Sequence, residues 1–398
     1  MNILVIDDDA FVLKLLKLQL ANLGQPDVVT CESAGEALEA LASVDRKVEI
    51  VFCDIQMPGM DGVELVRHLA KTHFSGGLVL MSGEDERILS TVQHLAEAHK
   101  LKVLGALHKP VTPAQLRDIL QRQASPALKP RGQDRKVYSA EEVAIAIENG
   151  ELINYYQPKV SMRSSDVVGV EALVRWQHPR DGLVFPDQFI ATAEQYGLID
   201  DLTRRVLLNA LRQCRGWHAN KLRLSVAVNI SMSNLVSLDF PDFIVEAAKR
   251  LEFDLSLLIL EVTESQLMRN PLTALDILTR LRLKNITLSI DDFGTGHSSL
   301  TQLRDIPFNE LKVDSGFVHN ASDNASRRAI LEASLDLARR LGMKSVAEGV
   351  ENLADWHFLS SLACCDVAQG YFIAKPMPAS ALPSWIQEWQ VRRTGLTE

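Results

Sequence analysis

Between residues 139 and 395, short apolar runs recur at 152–160, 167–175, 222–230, 257–262, 286–291, 310–314, 344–348 and 366–373. Amphipathic segments such as 241–251, 271–283 and 327–341 separate most of them. Strand-like runs alternating with helices favour a parallel β/α architecture, and this number and length predict a (β/α)8 barrel. One connection breaks the pattern: residues 161–166 are too few to hold a crossover helix. The first two runs should therefore form an antiparallel hairpin, giving a modified barrel with a reversed first strand. Ahead of them, Ser139 followed by Glu142 predicts a capped helix that stops at Asn149-Gly150.

The polar residues of these runs carry the functional signal. Glu171, Asn229, Glu261, Asp291 with Asp292, Lys312, Glu348 and Gln369 each sit within or at the end of an apolar run. In a barrel such strand ends form one mouth, where active sites lie. A single strand-end acid is often only solvated, but seven successive strands each supplying a polar group is hard to explain by packing. Converging carboxylates repel one another and take up protons unless cations neutralise them. The set is all oxygen apart from Lys312, with no His or Cys, which favours Mg²⁺ or Mn²⁺ over Zn²⁺. Two such ions suit in-line displacement at phosphorus, with Lys312 orienting or deprotonating the attacking water or holding developing charge. Glu171, Leu173 and Arg175 share one strand face, and Lys312 and Asp314 another, placing cationic and acidic groups beside a phosphate site. In an extended strand Asp291 and Asp292 point to opposite faces, so the strand should end between them, with Gly294-Thr295-Gly296 opening a movable loop.

A second α/β pattern occupies residues 1–122. Apolar runs at 2–6, 49–53, 77–81 and 102–107 end near Asp7-Asp8, Asp54, Ser82 and Lys109-Pro110, with helical spacing over 11–23. This predicts a doubly wound, flavodoxin-like sheet whose ligand site lies beyond the carboxyl ends of its strands. Asp7, Asp8 and Asp54 suit one Mg²⁺, and Ser82 and Lys109 could steady a phosphoryl group on Asp54.

Charge separates the parts. Residues 1–122 carry 12 basic and 17 acidic side chains, 123–138 carry 4 and 1, and 139–398 carry 26 and 33. The middle stretch, with Pro126, Pro130 and Gly132, has linker composition. A formal net charge of -9 disfavours nonspecific nucleic-acid binding. The amino terminus lacks the basic start and apolar core of a signal peptide, no run reaches membrane-span length, and the five cysteines form no C-x-x-C pair. These features predict a cytoplasmic protein without membrane insertion.

Residues 1–122 resemble the receiver domain of bacterial response regulators through Val5-Ile6-Asp7-Asp8-Asp9, Cys53-Asp54-Ile55-Gln56-Met57-Pro58-Gly59, Met81-Ser82-Gly83 and His108-Lys109-Pro110. The likeness implies phosphorylation of Asp54 by a sensor histidine kinase, Mg²⁺ on Asp7, Asp8 and Asp54, and Ser82 and Lys109 reading the phosphoryl oxygens. Ala106 replaces the switch aromatic that many receivers carry three residues before the lysine. Residues 139–398 resemble the EAL domain, the family of cyclic di-GMP phosphodiesterases, through Tyr156-Gln157-Pro158, Glu171-Ala172-Leu173-Val174-Arg175, Val228-Asn229-Ile230, Glu261-Val262-Thr263-Glu264, Asp291-Asp292-Phe293-Gly294, Lys312-Val313-Asp314, Glu348-Gly349-Val350-Glu351 and Gln369-Gly370-Tyr371.

That resemblance implies hydrolysis of cyclic di-GMP to linear pGpG with two Mg²⁺ or Mn²⁺ ions. Glu171, Asn229, Glu261 and Asp291 match first-metal ligands, Asp292 a second-metal ligand with Glu348 beside the pair, and Lys312 the water-activating lysine. Gln157, Arg175, Asp314 and Gln369 match substrate-contacting positions, while Glu264 and Glu351 match acids that support the loop and site. His297 stands where the family has tyrosine, and Ser315-Gly316 replace an arginine-containing pair; neither departure touches a metal ligand. Homo-oligomerisation, as a dimer or higher, is expected, and a DNA-binding output is not, because no helix-turn-helix follows the barrel. A barrel that senses cyclic di-GMP without cleaving it typically lacks several acids; this one lacks none.

Overall fold

The computed structural model describes residues 1–398 apart from 44–47, 73, 84–85, 125–135, 264–270, 295–299 and 397–398. Two compact units are present, Met1–Arg135 and Lys136–Glu398.

In the first, β1 (Ile3–Ile6), β2 (Val28–Cys31), β3 (Ile50–Asp54), β4 (Gly77–Ser82) and β5 (Lys102–His108) form a parallel sheet in the order β2-β1-β3-β4-β5. This is the flavodoxin-like arrangement expected. The pleat sorts its apolar side chains to two faces. Leu4, Ile6, Val51 and Cys53 pack with Leu65, Leu69 and Val92 of the helices Gly62–Lys71 and Glu86–Ala98. Ile3, Val5, Ile50 and Phe52 pack with Leu13, Leu16, Leu116 and Ile119 of Ala10–Asn22 and Pro113–Ala124. β2 leaves no long apolar run in the sequence, because it is a four-residue edge strand with only Val28 and Cys31 buried.

In the second unit the barrel strands are β6 (Leu152–Ser161), β7 (Val167–His178), β8 (Gly182–Val184), β9 (Ser225–Asn229), β10 (Leu258–Thr263), β11 (Thr287–Phe293), β12 (Glu310–Val313), β13 (Lys344–Ala347), β14 (Val367–Ala368) and β15 (Met377–Pro378). Eight of them close a ring: β7, β9, β10, β11, β12, β13 and β14 are parallel in succession, and β6 joins β7 and β14 antiparallel to both. The reversed first strand is thus present, and β8 and β15 are short additions on β7 and β6. Ser139 and Glu142 form a reciprocal capping box, and Gly150 ends that helix at φ 73°. The expected last strand, 366–373, is cut to two residues because Gly370 packs directly on the Val350 backbone and the chain turns there. Among the described residues no helix is long and apolar enough to cross a membrane.

Candidate active site

The carboxyl ends of the parallel barrel strands converge on Lys312. This lysine is 1% exposed, and its Nζ lies 2.7 Å from Glu348 Oε1, 3.0 Å from Asp291 Oδ1, 3.2 Å from Glu261 Oε2 and 3.9 Å from Glu171 Oε2. Burial alone would drive the ammonium to lose its proton. The four carboxylates outweigh burial and hold its pKa well above the ordinary lysine value.

The carboxylates respond unequally. Burial pushes Glu171 up, reinforced by Glu261, and burial likewise raises Glu348 and Asp292. For Glu261 burial also acts upward, but two ammoniums, Lys159 and Lys312, overcome it and hold the carboxyl at about 2. Of these four, only Glu261, with two ammoniums beside it, has its burial outweighed.

A hydrogen-bond chain fixes Glu171: Asn229 Nδ2 donates to its Oε1 at 2.8 Å and Gln369 Nε2 to its Oε2 at 2.6 Å. Gln369 Nε2 also reaches Gln157 Oε1 at 3.0 Å, and Gln157 Nε2 donates to the Ala374 carbonyl at 3.0 Å. A cavity of about 360 Å³ opens above Glu171, Asp291, Lys312, Glu348 and Gln369.

Asp291 and Asp292 reach the site in a way the alternation argument did not foresee. The strand does not end between them; β11 continues to Phe293. Ile290 pairs with Leu311 and Phe293 with Val313, so the two acids oppose Lys312 alone in a β-bulge. Asp292 adopts φ 55°, the left-handed region, which turns its side chain back. Oxygens of Asp291, Asp292 and Glu348 then lie within 4.8 Å of one another.

Other candidates stand further out. Arg175 donates to the Val174 carbonyl at 2.7 Å, lies over the rings of Phe185 (5.0 Å) and Tyr155 (5.7 Å), and forms no ion pair among the described residues. Its guanidinium thus makes no ion pair with the carboxylate cluster among the described residues, although Glu171 on the same strand acts on it electrostatically. Asp314 caps the short helix Ser315–Val318, accepting from the Gly316 N–H at 2.9 Å. Glu351 is exposed on the rim, and its N–H donates to Asp355 at 3.1 Å. Glu264, His297 and the Thr295-Gly296 part of the loop lie outside the described residues. Two residues were missed: Lys159 and Glu310, both buried just below the cluster. Their signal was available, since Lys159 shares a face with Gln157 and Glu310 with Lys312.

Gly349 holds the turn after Glu348 at φ 68°, and a Cβ there would collide with Ser315. Gly349→Ala should cost the barrel about 1–3 kcal/mol, read as an earlier midpoint in its denaturant unfolding.

In the first unit, Lys109 Nζ lies 2.6 Å from both Asp7 Oδ2 and Asp54 Oδ2, and Asp7, Asp8 and Asp54 bring oxygens within 4.8 Å. Burial works against the Lys109 ammonium, yet the two aspartates raise its pKa overall. Ser82 ends β4 next to them, its carbonyl accepting from the Lys109 N–H at 2.7 Å.

The sequence matches the EAL domain over residues 140–376 and the response regulator receiver domain over 3–121. The chain belongs to the EAL domain family. It carries a response regulator receiver domain ahead of the EAL barrel. Cyclic di-GMP phosphodiesterase RocR of Pseudomonas aeruginosa is 31% identical over 385 residues, covering 95% of this chain and 96% of RocR. The bifunctional diguanylate cyclase/cyclic di-GMP phosphodiesterase MucR of the same organism is 42% identical over 241 residues, 60% of this chain but only 35% of MucR. The solved PaMucR phosphodiesterase in complex with c-di-GMP superimposes with a TM-score of 0.58 at 41% identity, covering 61% of this chain and 98% of that one.

Proposed function

We propose that this EAL protein hydrolyses one phosphodiester of cyclic di-GMP to linear pGpG, under control of phosphorylation at Asp54. The observation that carries the reading is the cluster of Glu171, Glu261, Asp291, Asp292 and Glu348 around Lys312, with Asn229 at its edge. Its donor set fits hard divalent cations, Mg²⁺ or Mn²⁺: every ligand atom is oxygen, and Glu261 Oε2 is buried without an aligned hydrogen bond among the described residues. Bound there, two such ions supply an activated water and Lewis-acid stabilisation of the phosphoryl oxygens.

The side chains do the rest. Lys312, kept charged, orients the attacking water and offsets negative charge as the new O–P bond forms and the P–O3′ bond breaks. Asn229 and Gln369 hold Glu171 in one orientation, and Gln157 anchors Gln369. Arg175, which forms no ion pair among the described residues, meets the phosphate or guanine of the substrate, with Asp314 on the same rim. Glu264 and Glu351 support the loop that follows Asp292. In the receiver, Asp7, Asp8 and Asp54 fit one Mg²⁺, Asp54 accepts the phosphoryl group from a sensor histidine kinase, and Ser82 and Lys109 contact it. With Ala106 in place of an aromatic, ring rotation does not carry the signal, and phosphorylation acts by changing receiver packing and, through it, the loop after Asp292 or an interface between copies of the chain.

Incubation of the purified protein with cyclic di-GMP and Mg²⁺ should yield pGpG, and a chelator should abolish it. Saturable binding without pGpG would instead make the barrel a sensor. Repeating the assay after phosphorylation, with Asp54→Asn as the control, should change the rate; equal rates would remove the regulatory half of the proposal.

A further inference from the structure

Beneath the carboxylate cluster lies a second charged layer that the proposed chemistry does not use. Lys159 of β6, Glu310 of β12 and Ser289 of β11 meet inside the barrel, at 2%, 3% and 0% exposure. Lys159 Nζ lies 2.7 Å from Glu261 Oε1 and 3.4 Å from Glu310 Oε1, and Ser289 Oγ donates to Glu310 Oε1 at 3.1 Å. The other oxygen of Glu261, Oε2, makes no aligned hydrogen bond among the described residues and faces Lys312 Nζ at 3.2 Å. One carboxylate is thus held from below through Oε1, while Oε2, itself buried, faces Lys312 in the upper cluster.

This asymmetry matters because the last torsion of a glutamate is broad, so a carboxylate plane is set by its partners and not by its rotamer. In metal sites the groups that hydrogen-bond a ligand commonly fix its orientation and tune its affinity. Lys159 also comes from the one reversed strand, which brings its side chain into the barrel beside β10 and β12. A lysine there is expensive to bury, and Glu310 with Ser289 gives its ammonium a second, fixed acceptor.

We propose that Lys159 is a positioning residue for metal binding. By holding Glu261 Oε1 it fixes the plane of that carboxylate and leaves Oε2 as the oxygen offered to a divalent cation, while Glu310 and Ser289 hold the lysine in place. The inference rests on the reading of the upper cluster as a divalent-cation site.

The competing role is charge balance in the core alone, and a paired substitution separates the two. Lys159→Met leaves Glu261 and Glu310 facing each other and can disturb folding. Lys159→Met combined with Glu310→Met removes one charge of each sign and leaves Glu261 with Lys312. Mn²⁺ binding to the full-length protein is followed by the electron paramagnetic resonance of free Mn²⁺, without substrate, and Asp291→Asn marks the share bound in the barrel. The double variant, with wild-type circular dichroism, should bind barrel Mn²⁺ about 10–100-fold more weakly. Its turnover should need correspondingly more Mn²⁺ while kcat at saturating metal falls less. Wild-type Mn²⁺ affinity in the double variant would overturn the positioning role. Equal Mn²⁺ binding by the wild type and Asp291→Asn would instead overturn the metal-site reading on which it rests.

Discussion

Lys312→Met should lower turnover of cyclic di-GMP by about 10²–10³-fold, the range set by removing one preorganised donor from developing negative charge. Methionine keeps the length and apolar stem of the side chain, so packing among Leu311, Val313 and their neighbours changes little. What goes is the ammonium that Glu171, Glu261, Asp291 and Glu348 share. The same substitution should change the metal-free protein in a pH-dependent way. Burial already raises Glu171, Asp292 and Glu348, and without Lys312 they lose a charge that holds them down, so they stay above their unfolded values of about 4 to 4.5. The folded state then binds more protons than the unfolded one, so stability is greatest at acid pH and falls as pH rises through the raised values. Denaturant midpoints measured in chelator from about pH 4 to 8 should therefore drop more steeply for the variant than for the wild type, and Mg²⁺ should narrow the gap. Turnover within a few-fold of wild type would remove Lys312 from the chemistry.

Much of this site was legible because barrel geometry converts strand-end position into spatial convergence. An acid at the end of an apolar run needs no long-range information to be placed at the mouth, and Glu171, Glu261, Asp291, Lys312 and Glu348 do meet there. The hairpin of β6 and β7 was legible from loop length alone. Lys159 and Glu310 were harder, because a charged residue inside a strand usually reads as a solvent-facing position in an alternating pattern. Only the ring closure, with β6 antiparallel to both neighbours, sets Lys159 beside Glu261 across 102 residues of sequence. The β11 bulge had no signal of its own: alternation counts every residue, and an inserted one leaves no mark in composition. Gly370 shows the same limit, since the contact with Val350 that shortens β14 is purely tertiary.

The bulge yields the second large effect, and three substitutions at Asp292 separate its two contributions. Asp292 supplies a carboxylate and occupies a left-handed backbone position at φ 55°. Asn tolerates that region nearly as well as Asp, so Asp292→Asn removes charge and leaves the bulge intact. Turnover should fall by more than about 100-fold, since disturbing even the partners of a metal ligand costs 10–100-fold, while the unfolding midpoint stays within error. Asp292→Gly should be equally inactive, because it relaxes the backbone without restoring an oxygen ligand. Asp292→Ala should add a stability loss of about 1–2 kcal/mol from the left-handed conformation. If Asn retained full turnover, the carboxylate would be dispensable and the bulge would serve only to aim Asp291. If Gly were active and Asn inactive, backbone freedom at the loop entrance, and not ligation, would be what Asp292 provides. Loss in all three, with destabilisation confined to Ala, is the pattern that the φ angle and the carboxylate spacing together require.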